Sequence, residues 1–270
     1  MKILCIGDIV GKPGRAAVES LLKIMKPERG IDAVVANVEN AASGSGVTSR
    51  LAKHFLRMGC DVLTAGDHIW DQKEVEKYLK EEPRLLRPAN FPPGAPGNGW
   101  GIYSIPGGPK VAVVSLLGRV FMRYAVDCPF RAWQRIYEEI RRETPVIIVD
   151  FHGEATSEKI AFGHFVDGQA SVVFGTHTHI QTADAQILPK GTAYITDTGM
   201  TGPYDSVIGQ SKENIIQRFL LSMPVKFTVA SGDIRLSGIL ADIDAATGKA
   251  RGIERVSQKY EGVVEGAAEE

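Results

Sequence analysis

The sequence lacks the features that define several large classes of protein. Only 3 of its 270 residues are cysteines, and none of them stands in a Cys-x-x-Cys pair. Cysteines this few and this widely spaced exclude a disulfide framework and a zinc finger, and they are typical of reduced, buried thiols. The formal net charge is only −1, so the composition does not favour a basic surface for a stable nucleic-acid complex.

Long apolar segments are also missing. No apolar run approaches the roughly 20 residues that a membrane-spanning helix requires, and the first run, residues 3–6, is too short for the core of a signal peptide. We therefore expect a cytoplasmic protein that does not enter a membrane. With 44% hydrophobic and 23% charged residues, the composition is that of a globular chain able to bury a large core.

What the sequence does contain is a regular alternation of short apolar runs and segments with helical periodicity. Ile3–Ile6, Ala33–Val38 and Asp61–Ala65 are predicted to be buried strands because they are short, apolar and rich in branched residues. Helices are predicted between them, with Pro13 as the first position of one and Thr48 as the N-cap of the next. This β-α-β-α-β order predicts a parallel sheet covered by helices.

The last third of the chain favours antiparallel strands. A hairpin is predicted around Pro189–Gly191, and further strands over Lys226–Val229 and Arg235–Asp242. The sequence shows neither a repeat nor a linker, so we predict one α/β domain over residues 1–260. Residues 261–270 are small or acidic and are expected to form a frayed tail.

Side chains of the types that bind metal ions follow the predicted strands. Because the carboxyl ends of parallel strands meet at one edge of a sheet, where α/β proteins build their sites, we expect these side chains to lie close together. Each alone has an ordinary alternative, a turn residue or a packed histidine, so the prediction depends on the whole set. The residues are Asp8, Glu39, Asn40, Asp67, His68, His152, His177 and His179.

The chemistry of this set favours a metal centre. Carboxylate, amide and imidazole ligands without a thiolate suit manganese, iron or zinc. The set exceeds the four ligands of a single ion, which favours two ions, and two ions can clamp an in-line displacement at phosphorus. Glu39 can bridge both ions, and the spacing of His177 and His179 places both rings on one face of an extended segment.

The segments that carry these residues resemble the motifs of calcineurin-like metallophosphoesterases. The resemblance is to the YmdB-like bacterial branch of this superfamily and covers nearly the whole chain. The segments that carry it are GDIVGKPG, NVENAASG, GDHIWD and GTHTHIQTAD, followed by TDTGMTGPYDSVIG. The resemblance implies an α/β fold of four layers, an α/β/β/α sandwich, and a homo-oligomer. It also implies phosphodiesterase activity on small phosphoesters, with 2′,3′-cyclic nucleotides as the best candidate substrates.

The resemblance further implies a role for each motif residue. His68 would be the general acid that protonates the leaving oxygen after attack by a metal-bridging hydroxide. The family usually has Asn where this chain has Asp67, and the extra charge is expected to tighten binding of a divalent ion and to tolerate a trivalent one. The metal is therefore left open, with iron or manganese favoured and zinc allowed. The first ion would bind Asp8, Glu39, Asn40 and His179, and the second Glu39, Asp67, His152 and His177.

Two other functions stay open at this point. The chain could be a phosphomonoesterase or nucleotidase of the same superfamily, because the shape of the pocket is not visible in the sequence. It could also be a regulatory protein with a structural metal site, although a structural site would not need His68 beside the ligands. Arg87 and Asn90 fall in a nearby loop, where an arginine would suit a phosphate oxygen.

Overall fold

The computed structural model describes residues 1–262 and 264, which form thirteen strands and six helices. The predicted frayed tail, residues 261–270, lies for the most part outside the described residues. No helix in the described part of the chain is both long enough and apolar enough to cross a membrane.

The strands form two separate sheets. The strands of the first sheet are β1 (Lys2–Ile6), β2 (Ala33–Asn37), β3 (Val62–Thr64), β4 (Leu85–Leu86), β11 (Gly202–Pro203), β12 (Ile234–Ile243) and β13 (Ala250–Lys259). Their order is β11-β12-β1-β2-β3-β4, with β13 paired to β12, and β1 to β4 are parallel as predicted.

The second sheet repeats the parallel arrangement with different strands. They are β5 (Trp100–Ser104), β6 (Lys110–Leu117), β7 (Ile147–His152), β8 (Val172–Thr176), β9 (Gln186–Ile187) and β10 (Ala193–Ile195). Their order is β5-β6-β7-β8-β10-β9, and β6, β7, β8 and β10 are parallel. The antiparallel pairing of β9 with β10 confirms the hairpin predicted around Pro189–Gly191.

The first helix begins at Gly11, earlier than the predicted first position at Pro13, whereas the second helix has the ends that the sequence indicates. Thr48 caps the second helix by accepting a hydrogen bond from the Leu51 amide at 3.2 Å, and Gly59 ends it in a left-handed conformation with φ 104°. The helices are α1 (Gly11–Arg29), α2 (Ser49–Met58), α3 (Val75–Glu81), α4 (Pro129–Ile140), α5 (Thr156–Phe165) and α6 (Lys212–Leu221).

Three hydrophobic cores separate four layers. Alternate residues of β1 point to opposite faces, so Leu4 and Ile6 pack in the core under α1, α2 and α3, whereas Ile3 and Cys5 pack in the core between the two sheets. Trp133 of α4 belongs to the third core, between the second sheet and α4 and α5. This order of layers confirms the α/β/β/α sandwich that the resemblance implied.

The predicted strand over Lys226–Val229 is wrong. This segment has no regular strand, and Val229 makes only an isolated bridge to Gln210. Strand β12, its nearest neighbour along the chain, already pairs with β1 and β11 and with β13. The segment therefore has no free strand edge of β12 with which to form a ladder. The strand predicted over Arg235–Asp242 is confirmed as β12.

Candidate metal centre

The ends of strands from both sheets meet at one place, and there the eight predicted site residues lie together. Asp8 follows β1, Glu39 and Asn40 follow β2, and Asp67 and His68 follow β3. The second sheet supplies His152 at the end of β7, and His177 and His179 after β8. Five of the eight side chains are buried, and those of His68, His177 and His179 are partly exposed.

Four of these side chains form one tight group. The imidazole Nε2 of His152 lies 3.0 Å from Glu39 Oε1 and 3.1 Å from Asp67 Oδ1. His177 Nδ1 lies 3.0 Å from the same His152 nitrogen. One potential ligand atom from each of the four lies within 4.8 Å of all the others. This is the set of residues predicted for the second ion.

The set predicted for the first ion surrounds a buried oxygen that has no partner. Asn40 Nδ2 lies 3.3 Å from His179 Nε2 and 3.4 Å from Glu39 Oε1. Asp8 Oδ2 accepts the His177 amide at 3.0 Å, but Asp8 Oδ1, 4.0 Å from His179 Nε2, accepts no hydrogen bond from any described residue. A buried, unpaired carboxylate oxygen is costly, and a cation at this position would satisfy it.

Hydrogen bonds behind His152 determine which of its nitrogens faces the site. Thr176 Oγ1 donates to Asp150 Oδ1 at 2.7 Å, so it accepts from His152 Nδ1 at 2.8 Å. A neutral ring in this orientation would present the lone pair of Nε2 to the carboxylates of Glu39 and Asp67. A lone pair and two carboxylates repel one another unless a cation, a metal ion or a proton, lies among them.

The pKa values show how strongly these groups interact. Burial raises the pKa of Asp8. Burial also acts to raise the pKa of Glu39 and Asp67, but the neighbouring His152 outweighs it and both pKa values are lowered. Burial acts to lower the pKa of His152, yet the Glu39 carboxylate leads the groups that raise it well above the usual value. The His152 ring and the carboxylates of Glu39 and Asp67 therefore stabilise one another's charged forms.

A buried ion pair holds the turn that carries the last two histidines. Lys159 Nζ of α5 donates to Asp197 Oδ2 at 2.7 Å and to the carbonyl oxygen of the residue before His177 at 2.7 Å. The same Asp197 oxygen accepts from the amide of Thr178 at 3.0 Å and from its hydroxyl at 2.8 Å. The flanking His177 and His179 have positive φ angles of 98° and 65°. The ion pair thus fixes a backbone conformation that histidines rarely adopt.

His68 lies at the exposed side of the site and is held by residues that sequence reasoning missed. Its Nδ1 lies 2.7 Å from Asp71 Oδ2 and 3.2 Å from Ser45 Oγ, and Arg123 donates to the other oxygen of Asp71 at 3.1 Å. Its backbone amide donates to Glu39 Oε2 at 3.3 Å. With Nδ1 engaged, Nε2 is the nitrogen available to a ligand. The only signal for Asp71 in the sequence is its position in the GDHIWD motif.

The polar groups of Arg87 and Asn90, which the sequence left as possible neighbours of the site, bind backbone carbonyls instead. The Arg87 guanidinium donates to backbone carbonyls, including that of Pro88 at 2.7 Å. The Asn90 amide donates to the carbonyls of Leu117 and Asp127 at 2.7 and 2.8 Å. Both side chains therefore stabilise loops, because their polar groups donate hydrogen bonds to backbone carbonyls.

The fold and the site together define a protein of the metallophosphoesterase type, and comparison with known proteins agrees. The chain belongs to the YmdB-like family, whose model it matches over residues 4–256. It is 49% identical over 256 residues to the 2′,3′-cyclic-nucleotide 2′-phosphodiesterase of Bacillus subtilis, covering 95% of this chain and 96% of that protein.

Solved structures agree with this assignment. A hypothetical protein from Thermus thermophilus has a TM-score of 0.89 at 41% identity, covering 96% of this chain and 99% of that one. A protein from Mycoplasma pneumoniae described as a novel phosphatase has a TM-score of 0.89 at 33% identity, covering 97% and 95% of the two chains. The predicted family is confirmed, and with it the prediction of an enzyme of the phosphoric ester hydrolase class.

The Lys159→Met substitution tests the buried ion pair. It removes the charge that balances Asp197 in the interior, and we expect the free energy of unfolding to fall by about 3–5 kcal/mol. Chemical denaturation measures this change. The control is Lys110→Met, because Lys110 pairs at 2.9 Å with Glu143 where both side chains are about half exposed. The control should change stability by less than about 1 kcal/mol, and equal effects of the two variants would contradict the assigned role.

Proposed function

We propose that this chain is a phosphodiesterase that depends on two metal ions and hydrolyses 2′,3′-cyclic nucleotides. The observation that carries the proposal is the unpaired, buried Asp8 Oδ1 beside a histidine nitrogen that faces two carboxylates. These groups need cations, and the donor set suits divalent ions. The substrate class rests on the Bacillus subtilis relative, whose name states a 2′,3′-cyclic-nucleotide phosphodiesterase.

Glu39 is the natural residue to join the two ion positions. Its Oε1 lies 3.0 Å from His152 Nε2 in one group and 3.4 Å from Asn40 Nδ2 in the other. Its Oε2 accepts the backbone amides of Gly66 at 2.5 Å and His68 at 3.3 Å, which hold the carboxylate in place. When bound, two ions would neutralise charge on a phosphate and activate water for in-line displacement.

We assign to His68 the role of protonating the leaving group. Asp71 and Ser45 hold Nδ1, so the ring is oriented with Nε2 toward the open side of the site. From there Nε2 can give a proton to the alcohol oxygen that leaves phosphorus. Because the proton neutralises an alkoxide, this role matters most for substrates whose leaving group is a poor one, such as a ribose hydroxyl.

A phosphomonoesterase is the second candidate, since the Mycoplasma pneumoniae neighbour is described as a phosphatase. The two functions use the same residues and differ in the substrate they accept. We retain iron or manganese as the proposed metals, with zinc as an alternative, and a homo-oligomer as the proposed assembly.

Metal analysis combined with activity measurements tests the proposal directly. The purified protein should contain close to two metal ions per chain by mass spectrometry. It should hydrolyse 2′,3′-cyclic AMP faster than p-nitrophenyl phosphate, a monoester. Removal of the metal should abolish turnover, and Mn²⁺ or Fe²⁺ should restore it. Absence of bound metal together with absence of turnover in added Mn²⁺ or Fe²⁺ would refute the enzyme, and a faster monoester reaction would favour the second candidate.

The His68→Ala substitution tests the general acid. We expect kcat for 2′,3′-cyclic AMP to fall roughly 10²–10⁴-fold while the metal content is unchanged. The loss should be much smaller for bis(p-nitrophenyl) phosphate, whose leaving group needs no proton. His54→Ala is the control, because His54 lies on α2 and pairs with Glu19 at 3.5 Å. Full activity of His68→Ala on the cyclic nucleotide would exclude the role.

The Asp67→Asn substitution tests the residue in which this chain departs from its family. The amide oxygen can still bind a metal, so we expect the variant to retain two ions and activity. With one negative charge fewer, its preference should move from trivalent toward divalent ions. Metal content after growth in iron or in manganese measures this, with Asp127→Asn as a charge-matched control. Loss of all metal from Asp67→Asn would contradict the proposal.

A further inference from the structure

A short segment between β6 and α4 connects the two sides of the candidate metal centre. We call residues 119–123 the rim segment. At its start, the amides of Arg119 and Val120 donate to the carboxylate of Glu158 at 3.0 and 3.1 Å. At its end, Arg123 Nη1 donates to Asp71 Oδ1 at 3.1 Å. Asp71 is the residue that holds His68, so the rim segment ends beside the general acid.

The middle of the rim segment is attached to the opposite side of the site. The sulfur of Met122 accepts the backbone amide of Glu154 at 3.2 Å. The carboxylate of Glu154 in turn lies 3.1 Å from His177 Nε2. The rim segment therefore contacts a neighbour of His177 and a neighbour of His68 within a few residues. Met122 and Arg123 are thus each linked through one other residue to a histidine of the site.

Within this segment, which hydrogen bonds attach to both sides of the site, the side chain of Phe121 is exposed to solvent. Its side chain is 87% exposed, the largest value among the exposed large hydrophobic residues of the described chain. Its φ of 62° lies in the left-handed region, which is unfavourable for a bulky residue. The residues on both sides of it are bound, so the structure holds an aromatic ring in water at a cost in backbone conformation. Such strain is characteristic of ligand-binding positions.

The charge beside this ring suits the proposed substrate. Arg123, two residues further on, is 56% exposed and lies over the ring of Tyr124 at 5.1 Å. An exposed aromatic ring and a cation two residues apart in one segment suit the two parts of a nucleotide, an aromatic base and an anionic phosphate.

We infer that Phe121 is a stacking surface for the nucleobase of a nucleoside cyclic phosphate whose phosphate lies at the metal centre. The inference rests on the proposed function and adds to it how the base is bound. Stacking uses the π-face that every base has, so purine and pyrimidine substrates should both benefit. Aromatic rather than merely apolar character is required, which separates this role from general hydrophobic contact.

The test compares substrates with and without a base. Phe121→Ala should raise KM for 2′,3′-cyclic AMP and 2′,3′-cyclic CMP at least about fivefold, the lower end of the usual effect of losing one stacked base. It should leave kcat/KM unchanged for methyl ribofuranoside 2′,3′-cyclic phosphate, which has the same reacting group and no base. Phe121→Tyr should retain the wild-type KM, whereas Phe121→Leu should behave like Phe121→Ala. Equal effects on all substrates, or no effect on any, would overturn the inference.

The matched control is Phe219→Ala. Phe219 is also an exposed phenylalanine, at 80%, but it belongs to α6 and not to the rim segment. It should leave KM for every substrate unchanged. Because Phe121 packs on little, none of its variants should lower the unfolding temperature. A change in molar mass of Phe121→Ala without a change in nucleotide binding would assign the ring to a contact between chains, and would also overturn the inference.

Calorimetric binding of 5′-AMP separates this inference from the proposed function. Wild-type protein that binds 5′-AMP more tightly than Phe121→Ala does, yet hydrolyses no cyclic nucleotide, would support the stacking surface and refute the phosphodiesterase. Hydrolysis of 2′,3′-cyclic AMP with identical KM in wild type and Phe121→Ala would support the phosphodiesterase and refute the stacking surface.

Discussion

The packing of the two sheets is the constraint on which the candidate metal centre depends, because each sheet supplies a different kind of ligand. The first sheet brings the carboxylates of Asp8, Glu39 and Asp67 to its strand ends. Among the residues predicted as metal ligands, the second sheet contributes imidazoles, at His152, His177 and His179. Neither sheet alone has the mixed oxygen and nitrogen set that suits iron, manganese or zinc. The apolar core between the sheets therefore determines ligand geometry as well as stability.

The interface between the sheets changes from apolar to polar as it approaches the site. Asn37 of β2 and Thr64 of β3 donate to Asp150 of β7 across the interface at 2.9 and 2.5 Å. Burial raises the pKa of Asp150 to about 6, even though three hydrogen bonds act against that rise. Burying such a carboxylate costs free energy. Asp150 accepts a hydrogen bond from Thr176, and Thr176 in turn contacts His152. We attribute its presence to orientation of the His152 ring, which apolar packing could not achieve.

Much of this arrangement could be predicted from sequence because strand ends are local features. A short apolar run followed by Asp8 or Glu39 can be recognised in the sequence without knowledge of the fold. The strand pattern by itself did not show that the parallel strands divide between two facing sheets, since a β-α-β rhythm is the same whether its strands join one sheet or two; only the family resemblance implied the four-layer sandwich. The role of Lys159 could not be predicted either, because a lysine in a helix is ordinarily exposed and this one is buried where α5 packs beside the turn that follows β8.

Residues that orient another side chain were the hardest to predict, because their contacts form only in the folded chain. Asp71 has no special chemistry in the sequence, and its contact with His68 exists only because the turn after β3 folds the carboxylate back onto the ring. Arg123 reaches the same carboxylate from 52 residues further along the chain. His68, the proposed general acid, is thus oriented by one local and one distant contact, and the distant one belongs to the segment that carries Phe121. Orientation of this histidine and the proposed stacking of a base on Phe121 are for that reason mechanically linked, and a ligand that moves the rim segment would also disturb the hydrogen bonding of His68.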